Sequence, residues 1–253
     1  MAKPVALSGE KLKRLMELIE GADTVELKLT IPETTRAKTS AALGVDPLDA
    51  QVRQVFFFDT PELALNAAGM VVRARRRQGE DGDTVVKLRP VEPADLPEDL
   101  RRNPTFGVEV DAMPGGYVCS ASFKGVASND RIRGAVTGKR PIRKLFSKGQ
   151  RAFFSEHAPE GIDIDGLSVL GPIPTFRVKF KPQGSKRKFV GELWMYPDAS
   201  QIVELSTKTT PAGALDVAAE CRALLESRGV DLSAEQQTKT KTALEFFVAS
   251  AAG

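Results

Sequence analysis

The stretch Asp23–Ile31, reading DTVELKLTI, alternates without a break. The two-residue period of a β-strand puts Glu26, Lys28 and Thr30 on one face and Val25, Leu27, Leu29 and Ile31 on the other. The pattern recurs along the chain. MVVRARRR carries Arg73, Arg75 and Arg77 on the face of Val71, and TVVKLRP carries Lys87 and Arg89 on the face of Val85. FGVEVDAM carries Glu109 and Asp111, and TFRVKFKP sets Arg177, Lys179 and Lys181 opposite Phe176, Val178 and Phe180. FVGELWMY sets Glu192 beside Val190 and Trp194, and QIVELSTK sets Glu204 and Ser206 opposite Val203 and Leu205. A single such strand fits a sheet with one wet face, and solvated charge on exposed hairpins is the competing reading. Many of them together could line the inside of a barrel.

Neither the cations nor the carboxylates of these faces could be buried alone, because an unpaired ion carries a large desolvation cost. Mixed, they neutralise one another. A closed barrel of about eight strands leaves an interior wide enough for side chains or one small ligand. A lumen lined by both signs suits a small, highly charged anion accompanied by a divalent metal. Cations hold phosphate oxygens, and carboxylates hold Mg²⁺ or Mn²⁺.

The remaining segments supply the frame. Ser8–Gly21 predicts an amphipathic helix capped by Ser8, with Leu12, Leu15, Met16 and Ile19 on the face that plugs or packs on the barrel. Pro32–Asp49 is polar. VFFFDTPEL predicts a strand to Phe58, then a turn or short helix from Pro61, with Gly69 marking the return. Gly79–Asp83 is expected to join the two cationic strands as a hairpin. A loop spans Pro90–Pro104, and a shorter strand surrounds Tyr117–Phe123. Asn129–Phe154 reads as a basic helical insert with Leu145, Phe146, Phe153 and Phe154 as its apolar contacts. Helices are expected at about Ala212–Arg228 and Ser233–Val248, separated by Gly229 and carrying Leu215, Leu224, Leu225, Leu244 and Phe247. The expectation is one domain over residues 1–253, with the barrel at 24–208, the insert at about 129–154 and the C-terminal helices at 212–249.

At 253 residues, with 42% hydrophobic and 27% charged residues, wholesale disorder is excluded as a class. The net charge of +3 is too small to argue for nucleic acid. Basic clusters at 139–151 and 181–188 keep a nucleic-acid binder as a third reading, ranked last because aromatic residues do not interleave them. Cys119 and Cys221 lack metal-ligand spacing and read as free thiols in a reducing compartment. No signal pattern opens the chain, and no apolar run approaches the about 20 residues that span a bilayer, so a cytoplasmic location is expected. His157, the one histidine, reads as a loop residue, and Trp194 as a core or rim residue that could stack on a ring.

The segments together resemble CYTH domains, the triphosphate tunnel metalloenzymes that include thiamine triphosphatases and class IV adenylate cyclases. VELKLT is similar to a partial form of the family's opening E-x-E-x-K strand. FFDTPELALNAAGMVVRARR resembles the next strand, the D-T-P turn and the R-x-R strand, and TVVKLRP the strand with a lysine. FGVEVD is similar to the acidic middle strand and VELSTK to the late E-x-E strand. The resemblance covers most of residues 24–208, most specifically Phe57–Lys87.

It implies an α+β fold, an eight-stranded antiparallel β-barrel tunnel flanked by an N-terminal helix and C-terminal helices. It also implies metal-dependent hydrolysis or cyclisation of a triphosphate-bearing small molecule. Carried over by residue, Lys28, Arg73, Arg75, Lys87, Arg89, Arg177 and Lys179 hold phosphate oxygens. Glu26, Glu109, Asp111, Glu192 and Glu204 bind Mg²⁺ or Mn²⁺, with Glu26 and Lys28 closest to the chemistry. The chain departs from the pattern at Thr24 and Ser206, where the family has glutamates, and Asp23, Asp163 and Asp165 are carboxylates that could compensate. A hydroxyl is a poorer ligand for Mg²⁺. The alternative to a triphosphate hydrolase is therefore a non-catalytic phosphate or polyphosphate binding module with a degenerate metal site.

Overall fold

The computed structural model describes residues 8–232, 236 and 239–251. Its centre is a closed barrel of nine strands, β1 (Thr24–Ile31), β2 (Gln51–Asp59), β3 (Met70–Arg77), β4 (Glu80–Leu88), β5 (Phe106–Met113), β6 (Gly116–Ala127), β7 (Ser168–Phe180), β8 (Phe189–Met195) and β9 (Gln201–Thr209). The order around the ring is β1, β5, β6, β4, β3, β2, β7, β8, β9. The expected eight antiparallel strands are corrected to nine of mixed direction. Direction reverses at every antiparallel neighbour, so an odd ring cannot close without a parallel pair. That pair is β1 with β5, in register Thr24 to Glu109 and Glu26 to Asp111.

The strands bury their apolar faces outward. Val25, Val72, Ala74, Val86, Val108, Val110 and Ala121 form one core with helices laid on the wall: Leu15, Leu18 and Ile19 of α1 (Gly9–Glu20), Ile132 of α5 (Asn129–Val136), and Phe153 and Phe154 of α6 (Lys148–His157). Thus α1 packs outside the barrel and does not plug it; Ser8 caps it through Lys11 N, while Leu12 stays 45% exposed. The lumen side carries a separate apolar cluster of Val55, Phe57, Val71, Ile173, Trp194 and Ile202. Ala243 and Leu244 of α8 (Lys239–Ala251) complete it, so the last helix covers one end. A further cluster joins Leu29, Ile31 and Leu205 to Leu43 of α2 (Arg36–Leu43) and Leu225 of α7 (Ala214–Ser227). The polar segment 32–49 thus contains a helix that its composition did not reveal.

Other boundaries also move. The hairpin turns at Gln78 and Gly79, the latter at φ +76°, and residues 80–83 continue β4, so Gly79–Asp83 is not the turn. Gly82 sits there because a Cβ would lie 2.4 Å from the Arg75 carbonyl oxygen and from Ile132. β6 runs well past Phe123, and β7 begins at Ser168. Ser233, the expected start of the last helix, lies outside the described residues. His157 is the final residue of α6 rather than a loop residue, its ring 4.6 Å from that of Phe153. The insert is tied to the barrel by Gln150, fully buried, whose amide donates to the carbonyls of Thr84 and Phe123 and accepts from the Thr84 hydroxyl. No helix among the described residues is long and apolar enough to cross a membrane.

Candidate active-site tunnel

The lumen is a cavity of about 520 Å³. Every charged residue singled out by alternation except Lys181 lines it: Glu26, Lys28, Arg73, Arg75, Arg77, Lys87, Arg89, Glu109, Asp111, Arg177, Lys179, Glu192 and Glu204. The barrel order separates them by sign. β4, β3, β2 and β7 are consecutive in the ring and bring Lys87 with the adjacent Arg89, then Arg73 and Arg75, Arg53, and Arg177 with Lys179. β8, β9, β1 and β5 form the opposite arc and bring Glu192, Glu204, Glu26, and Glu109 with Asp111. A cationic wall faces an acidic one.

On the cationic wall, Asp83 is set among three arginines, and Glu80, nearer the rim, pairs with Arg77 at 3.4 Å. Asp83 lies 2.8 Å from Arg75 Nη2, 3.7 Å from Arg77 Nε and 3.8 Å from Arg73 Nη2. Two carboxylates cannot neutralise the arginines of this wall. Burial, followed by repulsion from Arg75, pushes Arg73 down to about 10, and burial with Arg75 and Arg177 does the same to Arg53. Both remain charged at neutral pH. Arg73 Nε is buried without a hydrogen-bond partner among the described residues. Lys87 forms no ion pair among the described residues, and burial is the first cause of its lowered pKa.

On the acidic wall, Glu26, Glu109 and Asp111 each offer an oxygen within 4.8 Å of the others. Lys28 Nζ stands 2.9 Å from Asp111 Oδ1 and 3.5 Å from Glu26 Oε2. Burial opposes its charge, but Asp111, Glu26 and Glu204 outweigh burial and raise its pKa. Glu109 receives Lys208 and the Thr24 hydroxyl, at 3.2 Å, on the same oxygen. Burial disfavours its ionisation, yet Lys208, Lys87 and Lys28 hold the carboxyl down at about 2. Thr24, at a position where the family has glutamate, thus supports a ligand candidate. Three hard oxygen donors fit Mg²⁺ or Mn²⁺.

Glu192 and Glu204 face one another across β8 and β9, and Lys239 of α8 bridges them, 2.8 Å from Glu204 Oε1 and in contact with Glu192 Oε2. Trp194 is buried, donates from Nε1 to Glu192 at 3.3 Å, and lies under Lys239. Ser206, the second departure, lies opposite Lys28 on the β1–β9 ladder and lines the tunnel.

Some expectations fail here. Asp23 accepts from Val108 N and pairs with Arg101, Asp163 caps a turn, and Asp165 pairs with Arg143. None of the three lines the tunnel, so none replaces the carboxylates absent at Thr24 and Ser206. Sequence reasoning also missed Arg53, Glu80, Asp83, Lys124, Lys208 and Lys239 as lining residues. Arg53 shares the parity of Val55 and Phe57, and Lys208 that of Glu204, so alternation carried both signals. Lys239 carried none, since it comes from a helix.

No family model matches the sequence, and no curated protein is similar to it. Solved structures are. A candidate adenylyl cyclase from Hippeastrum, described as having a dominant triphosphatase activity, matches at TM-score 0.66 and 16% identity, over 88% of this chain and 96% of that one. A candidate adenylate cyclase from Bacillus halodurans matches at TM-score 0.61 and 12% identity, over 87% and 97%. At these identities the likeness is one of fold, and it spans nearly the whole of both neighbours. The chain shares the fold of these neighbours, which is the barrel with flanking helices that the resemblance led us to expect.

Proposed function

We propose that the chain is a metal-dependent hydrolase that draws the triphosphate group of a small molecule, or inorganic triphosphate itself, into the tunnel. The observation that carries this reading is the separation of charge around the ring, with cations that outnumber the carboxylates among them facing a three-carboxylate cluster. Arg73, Arg75, Lys87, Arg89, Arg177 and Lys179 bind phosphate oxygens. Burial lowers Arg73 and Arg53 first and repulsion between arginines adds to it, and the arrival of an anion relieves that repulsion. Glu26, Glu109 and Asp111 hold Mg²⁺ or Mn²⁺, which supplies charge neutralisation on the phosphate oxygens and a lowered pKa for bound water.

In hydrolysis, a water oxygen forms a bond to the terminal phosphorus while the bridging P–O bond breaks, giving phosphate and the shortened chain. Lys28, held charged by Asp111 and Glu26, offsets negative charge on the leaving oxygen. Glu26 accepts a hydrogen bond from the attacking water. The cavity of about 520 Å³ lies within the about 300–1,000 Å³ of small-molecule sites. Release of phosphate from tripolyphosphate, thiamine triphosphate or ATP by the purified protein with Mg²⁺ or Mn²⁺ tests the reading, and no release from any of them across a pH series would remove it.

Thr24 and Ser206 favour a second reading, a phosphate-binding module without turnover. It predicts tripolyphosphate binding that persists in chelator with no phosphate released.

A further inference from the structure

Two glutamates directly opposite on an antiparallel ladder repel one another, and in an enclosed polar cavity such a pair attracts a cation. In this chain the cation is covalently attached. Lys239 leaves the first turn of α8 with its ammonium on Glu192 Oε2 and 2.8 Å from Glu204 Oε1. It lies 5.4 Å from the centroid of the Trp194 ring, a cation–π distance. The other oxygen of Glu192 faces Arg177 Nε at 3.4 Å and Arg53 at 3.9 Å. The backbone is pinned as well, for the Tyr196 hydroxyl donates to the Lys239 carbonyl at 2.9 Å, and Ala243 and Leu244 are buried one turn further on.

The Glu26, Glu109 and Asp111 cluster is covered differently. Two lysines reach its three carboxylates: Lys28, 18% exposed, stays on Asp111 and Glu26, and Lys208, at the rim and 51% exposed, lies on Glu109, whereas the side chain of Lys239, between two carboxylates, is 13% exposed. Lys208 can swing into water to admit an ion. Lys239 would have to leave a closed pocket and strand two carboxylates that its own charge neutralises.

We propose that Lys239 fills the Glu192–Glu204 seat as a built-in cation, so that the tunnel takes a single divalent ion, at Glu26, Glu109 and Asp111. The proposal rests on the metal-binding reading above and sharpens it by removing Glu192 and Glu204 from the ligand set. A triphosphate then meets one exchangeable cation and, in place of a second, the ammonium of Lys239, whose position α8 sets.

The experiment is a titration of the full chain with Mn²⁺ alone, counting free ion by electron paramagnetic resonance. The wild type binds one ion, Lys239→Arg binds one, and Lys239→Met, which keeps the stem over Trp194 but loses the charge, binds two. Glu204→Gln leaves the affinity of the single ion within about twofold, whereas Glu26→Gln weakens it by about tenfold or more. Two ions in the wild type, one ion in a folded Lys239→Met, or a tenfold loss in Glu204→Gln would each overturn the proposal while leaving a metal-binding tunnel in place. Should Lys239→Met fail to fold, the Glu204→Gln comparison still decides. A wild type that binds no Mn²⁺ overturns both this proposal and the metal-dependent reading beneath it.

Discussion

Lys28 Nζ lies 2.9 Å from Asp111 Oδ1 and joins the opening strand to β5, its parallel neighbour. Both side chains are largely withdrawn from water, so the pair holds together only as a pair. Breaking such a buried pair by removing one partner costs about 3–5 kcal/mol. Lys28→Met is therefore expected to lower the thermal midpoint clearly, and Lys28→Met combined with Asp111→Leu to regain part of the loss. Thermal unfolding followed by circular dichroism checks both, and equal midpoints for the wild type and Lys28→Met would count against the pairing.

Arg73→Ala and Lys87→Ala are expected to leave the barrel folded and to weaken tripolyphosphate binding. A hydrogen bond to a charged group contributes about 1.5–3 kcal/mol, so each loss amounts to about 10- to 100-fold in Kd. Calorimetry at fixed salt measures it. Unchanged affinity in both variants would mean that this wall does not receive the ligand.

The acidic wall sets the acid limit of stability. Glu109 is held at about 2 against an ordinary 4.5, and Glu192 is held below the usual carboxylate range because Lys239, Arg75 and Trp194 outweigh burial. A carboxyl depressed in the folded state stabilises fully above its unfolded pKa, and that contribution fades as pH falls through the folded value. The loss is thus expected between about pH 4.5 and about 2. On the alkaline side, burial lowers Lys87 from 10.5, so its cation is lost before that of an ordinary lysine and triphosphate affinity falls with it. Lys87→Arg should move that fall to higher pH. Unfolding and binding followed as functions of pH check the two limits.

The D-T-P segment has a structural role. The Asp59 carboxylate accepts from the backbone N–H groups of Thr60, Leu65 and Asn66, closing the turn into α3 (Ala64–Ala67). Asp59→Ala should cost about 0.5–2 kcal/mol, as loss of a capping side chain does, and leave tripolyphosphate affinity unchanged. A loss of affinity without a loss of stability would assign the motif to the ligand instead.

Much of the site was legible because a strand exposes its two faces with a fixed period. Glu26, Lys28, Arg73, Arg75, Lys87, Glu109, Asp111, Arg177, Glu192 and Glu204 all reached the lumen on parity alone. Asp83 was missed because a glycine-rich segment reads as a turn, although here it extends β4 and sets Asp83 opposite Arg75. Helix α2 was missed because its composition is polar and only Thr39 and Leu43 are buried.

The sequence by itself determined which face of each strand is charged and which apolar, and hence that a closed sheet would carry charge on one side. It could not determine which strands are neighbours. Strand order, with β5 beside β1 and β7 beside β2, sorts cations onto one wall and carboxylates onto the other. Those pairings join residues far apart in the chain, through hydrogen bonds between backbones that look alike whatever their side chains. Lys239 belongs to the same class, since only the packing of α8 on the barrel end brings its ammonium between Glu192 and Glu204.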